Sequence, residues 1–243
     1  MSLDVFPDNS RQDAERVRAF FDRWRLYRKV LTLDYLSHRE AYAALGAALK
    51  GVRAPFSFLD LGAGDADCTT AMLCELPVAS YEAVDLSAVA LGLAEENAGR
   101  LSCPKRFTQA DFAEYIANDS CGLFDVIFIG LSLHHLPALD KAAFLPKLRS
   151  RMAEGGSFFF YEPIRGSTES RSDVMERWWA HAQAEWTELD SAELEEVREH
   201  IFEHDYPEPL DGYEAMARAA GFREFEVLYV SPGDFYALVR AST

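Results

Sequence analysis

Asp60-Leu61-Gly62-Ala63-Gly64-Asp65 sets two glycines between two carboxylates, within and directly after the apolar run Phe56–Leu61. A glycine-rich turn leading from a strand into a helix lets a ligand come close to the backbone at the carboxyl edge of a parallel sheet. Asp85 follows 23 residues after Gly62, where a carboxylate can accept both hydroxyls of a ribose. Asp111 stands at the end of a third apolar run with the ring of Phe112 beside it. A glycine turn and carboxylates at successive strand ends describe a nucleoside pocket.

Details of the turn select among nucleosides. A dinucleotide fold wants G-x-G-x-x-G, whose third glycine allows close helix packing beside a pyrophosphate. Asp67 occupies that third position, and Asp65 also lies in the turn. Two carboxylates would repel a pyrophosphate, whereas a sulfonium and an α-amino group would tolerate them. Downstream, Leu131-Ser132-Leu133-His134-His135-Leu136 follows the fourth apolar run. A histidine there could orient the loop by hydrogen bonds or take a proton near neutral pH.

These residues need strands and helices to position them. Short apolar runs over residues 56–61, 80–84, 105–108, 124–129 and 156–161 alternate with amphipathic stretches, which is the spacing of βα units and a parallel sheet. Phe225–Val230, the turn Ser231-Pro232-Gly233-Asp234 and Phe235–Val239 predict a closing antiparallel hairpin. Upstream, a cap-like Ser10 and Asp13 precede Phe20, Trp24, Tyr27 and Leu31 at helical spacing, and Tyr35, His38 and Tyr42 extend the stripe. The expected organisation is one α/β domain: a helical cap over residues 1–50, a cofactor-binding core over 55–162, a lid or insertion over 163–212 and a hairpin over 222–240.

Charge and composition narrow the function class. The 243 residues carry 40 acids and 24 bases, a net charge of −16 that repels a phosphate backbone, so nucleic acid is not an expected partner. Between Glu185 and Glu214 only Arg198 offsets twelve acids, so this segment supplies −11 of the −16 and reads as a solvated helix face. No apolar run approaches the roughly 20 residues of a membrane helix, and the N-terminus lacks an apolar signal core. Cys68, Cys74, Cys103 and Cys121 form no C-x-x-C pair and predict free thiols in a reducing cytoplasm.

The motifs LDLGAGD (59–65), VDLS (84–87), QADF (109–112), FDVIFIG (124–130) and MAEGGS (152–157) resemble those of the class I S-adenosylmethionine-dependent methyltransferases of small-molecule type. That resemblance implies a doubly wound, seven-stranded, mostly parallel Rossmann-like sheet with an antiparallel C-terminal hairpin, and S-adenosyl-L-methionine as cofactor. It implies that Gly62 and Gly64 pass under the cofactor with Asp65 in the turn, and that Asp60 holds the methionine amino group, directly or through water. Asp85 would take the ribose, and Asp111 would meet the adenine amino group between Leu86 and Phe112. Ile129 and Gly130 would border the site, and Tyr27 or Arg28 of the N-terminal helix would reach the cofactor carboxylate. His135 resembles the histidine of small phosphobase methyltransferases, which a tyrosine of the N-terminal helix partners. His135, His134 and Tyr27 are therefore the candidate catalytic residues.

The implied partner is a small-molecule methyl acceptor, with no membrane association, in a monomer or homodimer. Two other readings stay open: a non-catalytic S-adenosylmethionine-binding regulatory subunit, and an NAD-dependent oxidoreductase, which Asp65 and Asp67 disfavour. His200-Ile201-Phe202-Glu203-His204 spells H-x-x-E-H, with both histidines on one helix face. Pro207 ends that helix and the segment is expected to lie far from the pocket, so no metal is predicted. Trp178, Trp179 and Trp186, with Phe20, Phe21 and Trp24, could equally pack a core or line a lid.

Overall fold

Phe56–Leu61 forms strand β1, and its residues are buried almost throughout because it is flanked on both sides and covered on both faces. Strands β2 (Val78–Asp85), β3 (Lys105–Gln109), β4 (Phe124–Gly130) and β5 (Met152–Arg165) are laid parallel around it. Strands β7 (Glu224–Val230) and β8 (Tyr236–Ser242) close the sheet antiparallel, giving the order β3-β2-β1-β4-β5-β8-β7. The two-residue β6 (Glu208–Pro209) pairs with the end of β5, off that path. The order reverses between β1 and β4, and ligands of open parallel sheets bind outside the strand ends at such a switch point. The Gly62 turn and the Leu131–Leu136 loop leave the sheet on either side of it.

The computed structural model describes residues 25–118 and 120–243, which belong to two compact units, residues 1–38 and 39–243. In the first unit, residues 25–32 are helical. The expected uninterrupted aromatic helix breaks at 33–37, where Asp34 (φ 58°) and Ser37 (φ 51°) take left-handed conformations and the Asp34 carboxylate pairs with His38 at 3.0 Å. Helix α1 (His38–Leu49) resumes after the break. Ser10, Asp13, Phe20, Phe21 and Trp24 lie outside the described residues.

Helices α2 (Asp67–Leu73), α3 (Ala88–Asn97), α4 (Phe112–Ala117) and α5 (Ala138–Arg149) fill the crossovers between strands. The segment after β5 folds into α6 (Arg171–Glu185) and α7 (Ser191–His204), each started by a capping box, at Ser170/Asp173 and Asp190/Glu193. Helix α8 (Leu210–Ala219) then packs beside α5. Trp178 and Trp186 are buried edge to face at 5.0 Å, and the Trp178 indole donates to the Tyr236 hydroxyl at 2.9 Å. Both are packing residues; Trp179 is half-buried under Arg198. None of the described helices is long and apolar enough to cross a membrane.

Candidate functional site

The turn after β1 winds through three left-handed residues, Gly62 (φ 68°), Gly64 (φ 56°) and Ala66 (φ 52°). Gly62 is demanded by a neighbour as well as by its dihedral: a Cβ there would lie 2.4 Å from Ser132 Oγ and 2.7 Å from Ser132 Cβ. The turn is thus locked against the loop that carries the two histidines. Asp85 holds it from the other side. One carboxylate oxygen accepts from the Gly64 amide at 2.9 Å and the other from the Ser87 amide at 2.8 Å. Ionised carboxylate oxygens accept more than one bond each, so the side chain that could take a ribose also shapes the glycine turn.

Asp60 sits below the turn, 2% exposed, and accepts from the Tyr81 hydroxyl at 2.8 Å. Burial pushes its carboxyl up to about 7, although Tyr81 and Thr69 donate to it; the charge of Asp85 adds to the rise. Asp65 is turned inward: its carboxylate accepts from the Asp67 amide at 3.1 Å and its carbonyl from Asn97 at 3.0 Å. It shapes the start of α2. At the end of β3, one oxygen of Asp111 caps α4 by accepting from the amides of Ala113 and Glu114 at 2.8 and 3.0 Å. The bonds named leave its other oxygen to a ligand. Phe112 packs edge-on against Phe144 at 5.4 Å, and Leu86 stands 66% exposed at the rim of β2.

The Ile129 side chain is fully buried in the core with Leu61 and Val84. Gly130 has the Phe128 ring 2.9 Å from where a Cβ would be, with the Tyr42 hydroxyl at 3.3 Å. Tyr27 and Arg28 lie in the helical stretch 25–32 of the other unit, both exposed.

The two histidines are unlike each other. His134 is buried, with Nδ1 2.5 Å from Glu162 Oε2 and Nε2 3.4 Å from Asp205 Oδ1. Burial alone would lower its pKa, but the carboxylates of Asp205 and Glu162 outweigh that and raise it. His135 keeps 39% of its side chain exposed, with Nδ1 3.5 Å from the same Asp205 oxygen and 3.4 Å from the His204 carbonyl. Burial of the rest of the ring, then the charge of His134, hold it down to about 3, so this imidazole is neutral in the physiological range.

Sequence reasoning missed Glu162 and Asp205. Glu162 is fully buried and accepts from the amides of Ser132, Leu133 and His134 at 2.8 to 3.1 Å, besides the His134 ring. It fixes the whole loop from the end of β5; its only signal was a lone acid closing the apolar run Phe158–Tyr161. Asp205 ends α7 and is 6% exposed. The Tyr206 amide donates to the His134 carbonyl at 2.8 Å, and Arg171 donates to the carbonyls of Phe202 and Asp205 at 2.6 Å. These bonds bring the H-x-x-E-H segment to the loop: His200 meets the His135 ring at 5.5 Å and the His204 ring at 5.3 Å. Its expected remoteness from the histidine loop is therefore corrected; Asp205 also leaves the supposedly solvated acidic face.

Residues 58–156 match the family model described as a methyltransferase domain. Over that stretch the chain is similar to methyltransferase domains. The matched stretch runs from β1 into β5 and holds the glycine turn, Asp85, Asp111 and both loop histidines. No curated protein matches the chain. Among solved structures, the S-adenosylmethionine-dependent methyltransferase SibL in its apo form is 20% identical, with a TM-score of 0.62 over 89% of this chain and 57% of that one. An O-methyltransferase family protein from Burkholderia thailandensis is 14% identical, with a TM-score of 0.57 over 82% of this chain and 55% of that one. Magnesium protoporphyrin IX methyltransferase from Synechocystis PCC 6803, with S-adenosylhomocysteine bound, is 15% identical, with a TM-score of 0.62 over 92% of this chain and 94% of that one. The chain thus spans little more than half the length of the first two. At these identities the likeness is one of fold.

Proposed function

We propose that the chain is an enzyme that transfers a methyl group from S-adenosylmethionine to a small-molecule acceptor. A lone pair on the acceptor attacks the sulfonium methyl in line with the breaking carbon–sulfur bond, and S-adenosylhomocysteine leaves; the protein's part is chiefly alignment. One observation carries the reading. The left-handed Gly62–Gly64 turn, tied to Asp85, lies beside the switch point of a methyltransferase-type sheet, with Asp111 and the exposed Leu86 at the neighbouring strand ends. In this assignment Asp85 takes the ribose, Asp111, Leu86 and Phe112 the adenine, and Gly62, Gly64 and Asp60 the methionine portion. Asp65 shapes the turn, and Gly130 borders the reacting centre.

Acceptor and cofactor meet at the Ser132–His135 loop, because that loop begins against Gly62. His135 is the side chain offered to the acceptor, and Glu162 holds His134 beside it. Tyr27 and Arg28 are tested for a part in cofactor or acceptor binding by substitution. A calorimetric titration with S-adenosylhomocysteine, with NADH in a parallel run, tests the function. Micromolar binding of S-adenosylhomocysteine alone is expected; binding of NADH alone would replace this reading with an oxidoreductase.

A further inference from the structure

Asp205 Oδ1 is a buried acceptor without a hydrogen-bond partner, although two imidazole nitrogens face it. His134 Nε2 stands 3.4 Å away and His135 Nδ1 3.5 Å away. Those separations are long for hydrogen bonds. They fit a different arrangement. A tetrahedral ion bound at about 2.0 to 2.1 Å sets its ligand atoms about 3.4 Å apart. The ligand atoms of His134, His135 and Asp205 all lie within 4.8 Å of one another.

The surroundings complete the pattern. His134 Nδ1 is taken by Glu162 at 2.5 Å, which leaves Nε2 as the ring nitrogen on the Asp205 side. A metal-ligating histidine characteristically gives its other N–H to a carboxylate in this way. Three protein ligands, with a half-exposed His135 on one side, leave a coordination position open, as in catalytic rather than structural zinc sites. Two imidazoles and one carboxylate suit a borderline divalent ion of the zinc class better than magnesium or calcium.

We propose that His134, His135 and Asp205 bind one divalent transition-metal ion, with Glu162 as the positioning residue behind His134. Resting on the methyl-transfer reading, the open position takes the heteroatom of a protic acceptor, such as a hydroxyl or thiol. The bound acceptor loses its proton to solvent, and the resulting anion takes the methyl from the sulfonium. S-adenosylhomocysteine leaves and the ion is unchanged.

Chelator-stripped protein is titrated with Zn²⁺ by calorimetry and with Co²⁺ by absorption, in the presence and absence of S-adenosylhomocysteine. One equivalent of Zn²⁺ binds, and Co²⁺ develops the intense visible bands of a four-coordinate site. Glu162→Gln weakens metal binding about 10- to 100-fold. His135→Ala and Asp205→Asn weaken it further. His135→Ala removes a half-exposed ring and keeps the fold, so its S-adenosylhomocysteine affinity stays intact. Absence of stoichiometric metal binding, or binding equal in His135→Ala, Asp205→Asn and the parent, overturns the metal site. Failure to bind S-adenosylhomocysteine, with metal binding intact, overturns the methyl-transfer reading and the acceptor role that rests on it, and leaves the metal site standing.

Discussion

Cofactor binding should be coupled to the titration of Asp60. Its carboxyl is buried, and burial holds it up to about 7 in the free protein. At pH 6 it is therefore about 90% protonated, and at pH 8 only about 10%. The ammonium of a bound methionine moiety favours the carboxylate and pulls that pKa down. Binding S-adenosylhomocysteine at pH 6 should then release close to one proton, and at pH 8 almost none. The apparent affinity should be about tenfold weaker at pH 6 than at pH 8, or roughly 1.4 kcal/mol. Titration calorimetry in buffers of different ionisation enthalpy reads the proton count directly, as the slope of observed against buffer enthalpy. Asp60→Asn cannot titrate, so it should bind more weakly at pH 8 and lose both the slope and the pH dependence. The linkage also acts on the free protein: because the folded pKa exceeds the unfolded one, this group's contribution to stability falls as pH rises from about 4 to about 7, by roughly 4 kcal/mol. A slope of zero at pH 6, or the same slope in Asp60→Asn, would refute the reasoning.

Glu162→Gln replaces an acceptor-only group, which receives three amides and an imidazole, with one that must turn a donor toward donors. Stability should fall by about 2 to 3 kcal/mol, seen as a lower denaturant midpoint at unchanged slope. Gly62→Ala meets both a left-handed dihedral and the Ser132 side chain, and should cost at least about 1 to 2 kcal/mol. Adding Ser132→Gly should return part of that loss, and strict additivity in the double variant would deny the contact. Asp111→Asn keeps the helix cap, since asparagine caps about as well as aspartate, so the thermal midpoint should hold. Its amide would turn toward the adenine amino group, and S-adenosylhomocysteine affinity should drop by about 1 to 3 kcal/mol by calorimetry.

Local patterning determined much of this protein. The run Phe56–Leu61 is strand β1 residue for residue, because a central parallel strand is apolar on both faces and is stopped by the glycine that follows. The glycine turn, and the carboxylates Asp85 and Asp111 at successive strand ends, were legible for the same reason: chain direction and period place them at one edge. The i, i+4 spacing of His200 and His204 likewise put the two rings side by side. Where the helical stripe broke at Asp34 and Ser37, periodicity alone carried no warning, since the break rests on two left-handed residues that are not glycine.

Only tertiary structure decided what surrounds the histidines. Glu162 is 28 positions from His134 and the His204 carbonyl 69 positions from His135, and no repeat or spacing links them. Asp205 looked like one more acid on a solvated face, because a charge run says nothing about which member is drawn inward. What draws it in is long-range bonding: β6 pairing with β5, Arg171 on the carbonyls of α7, and Tyr206 on the loop itself. Local sequence sets which backbone forms. The partners of a buried charge are set by whatever the closed fold brings within a few ångströms, and that distance is defined only once the chain has closed.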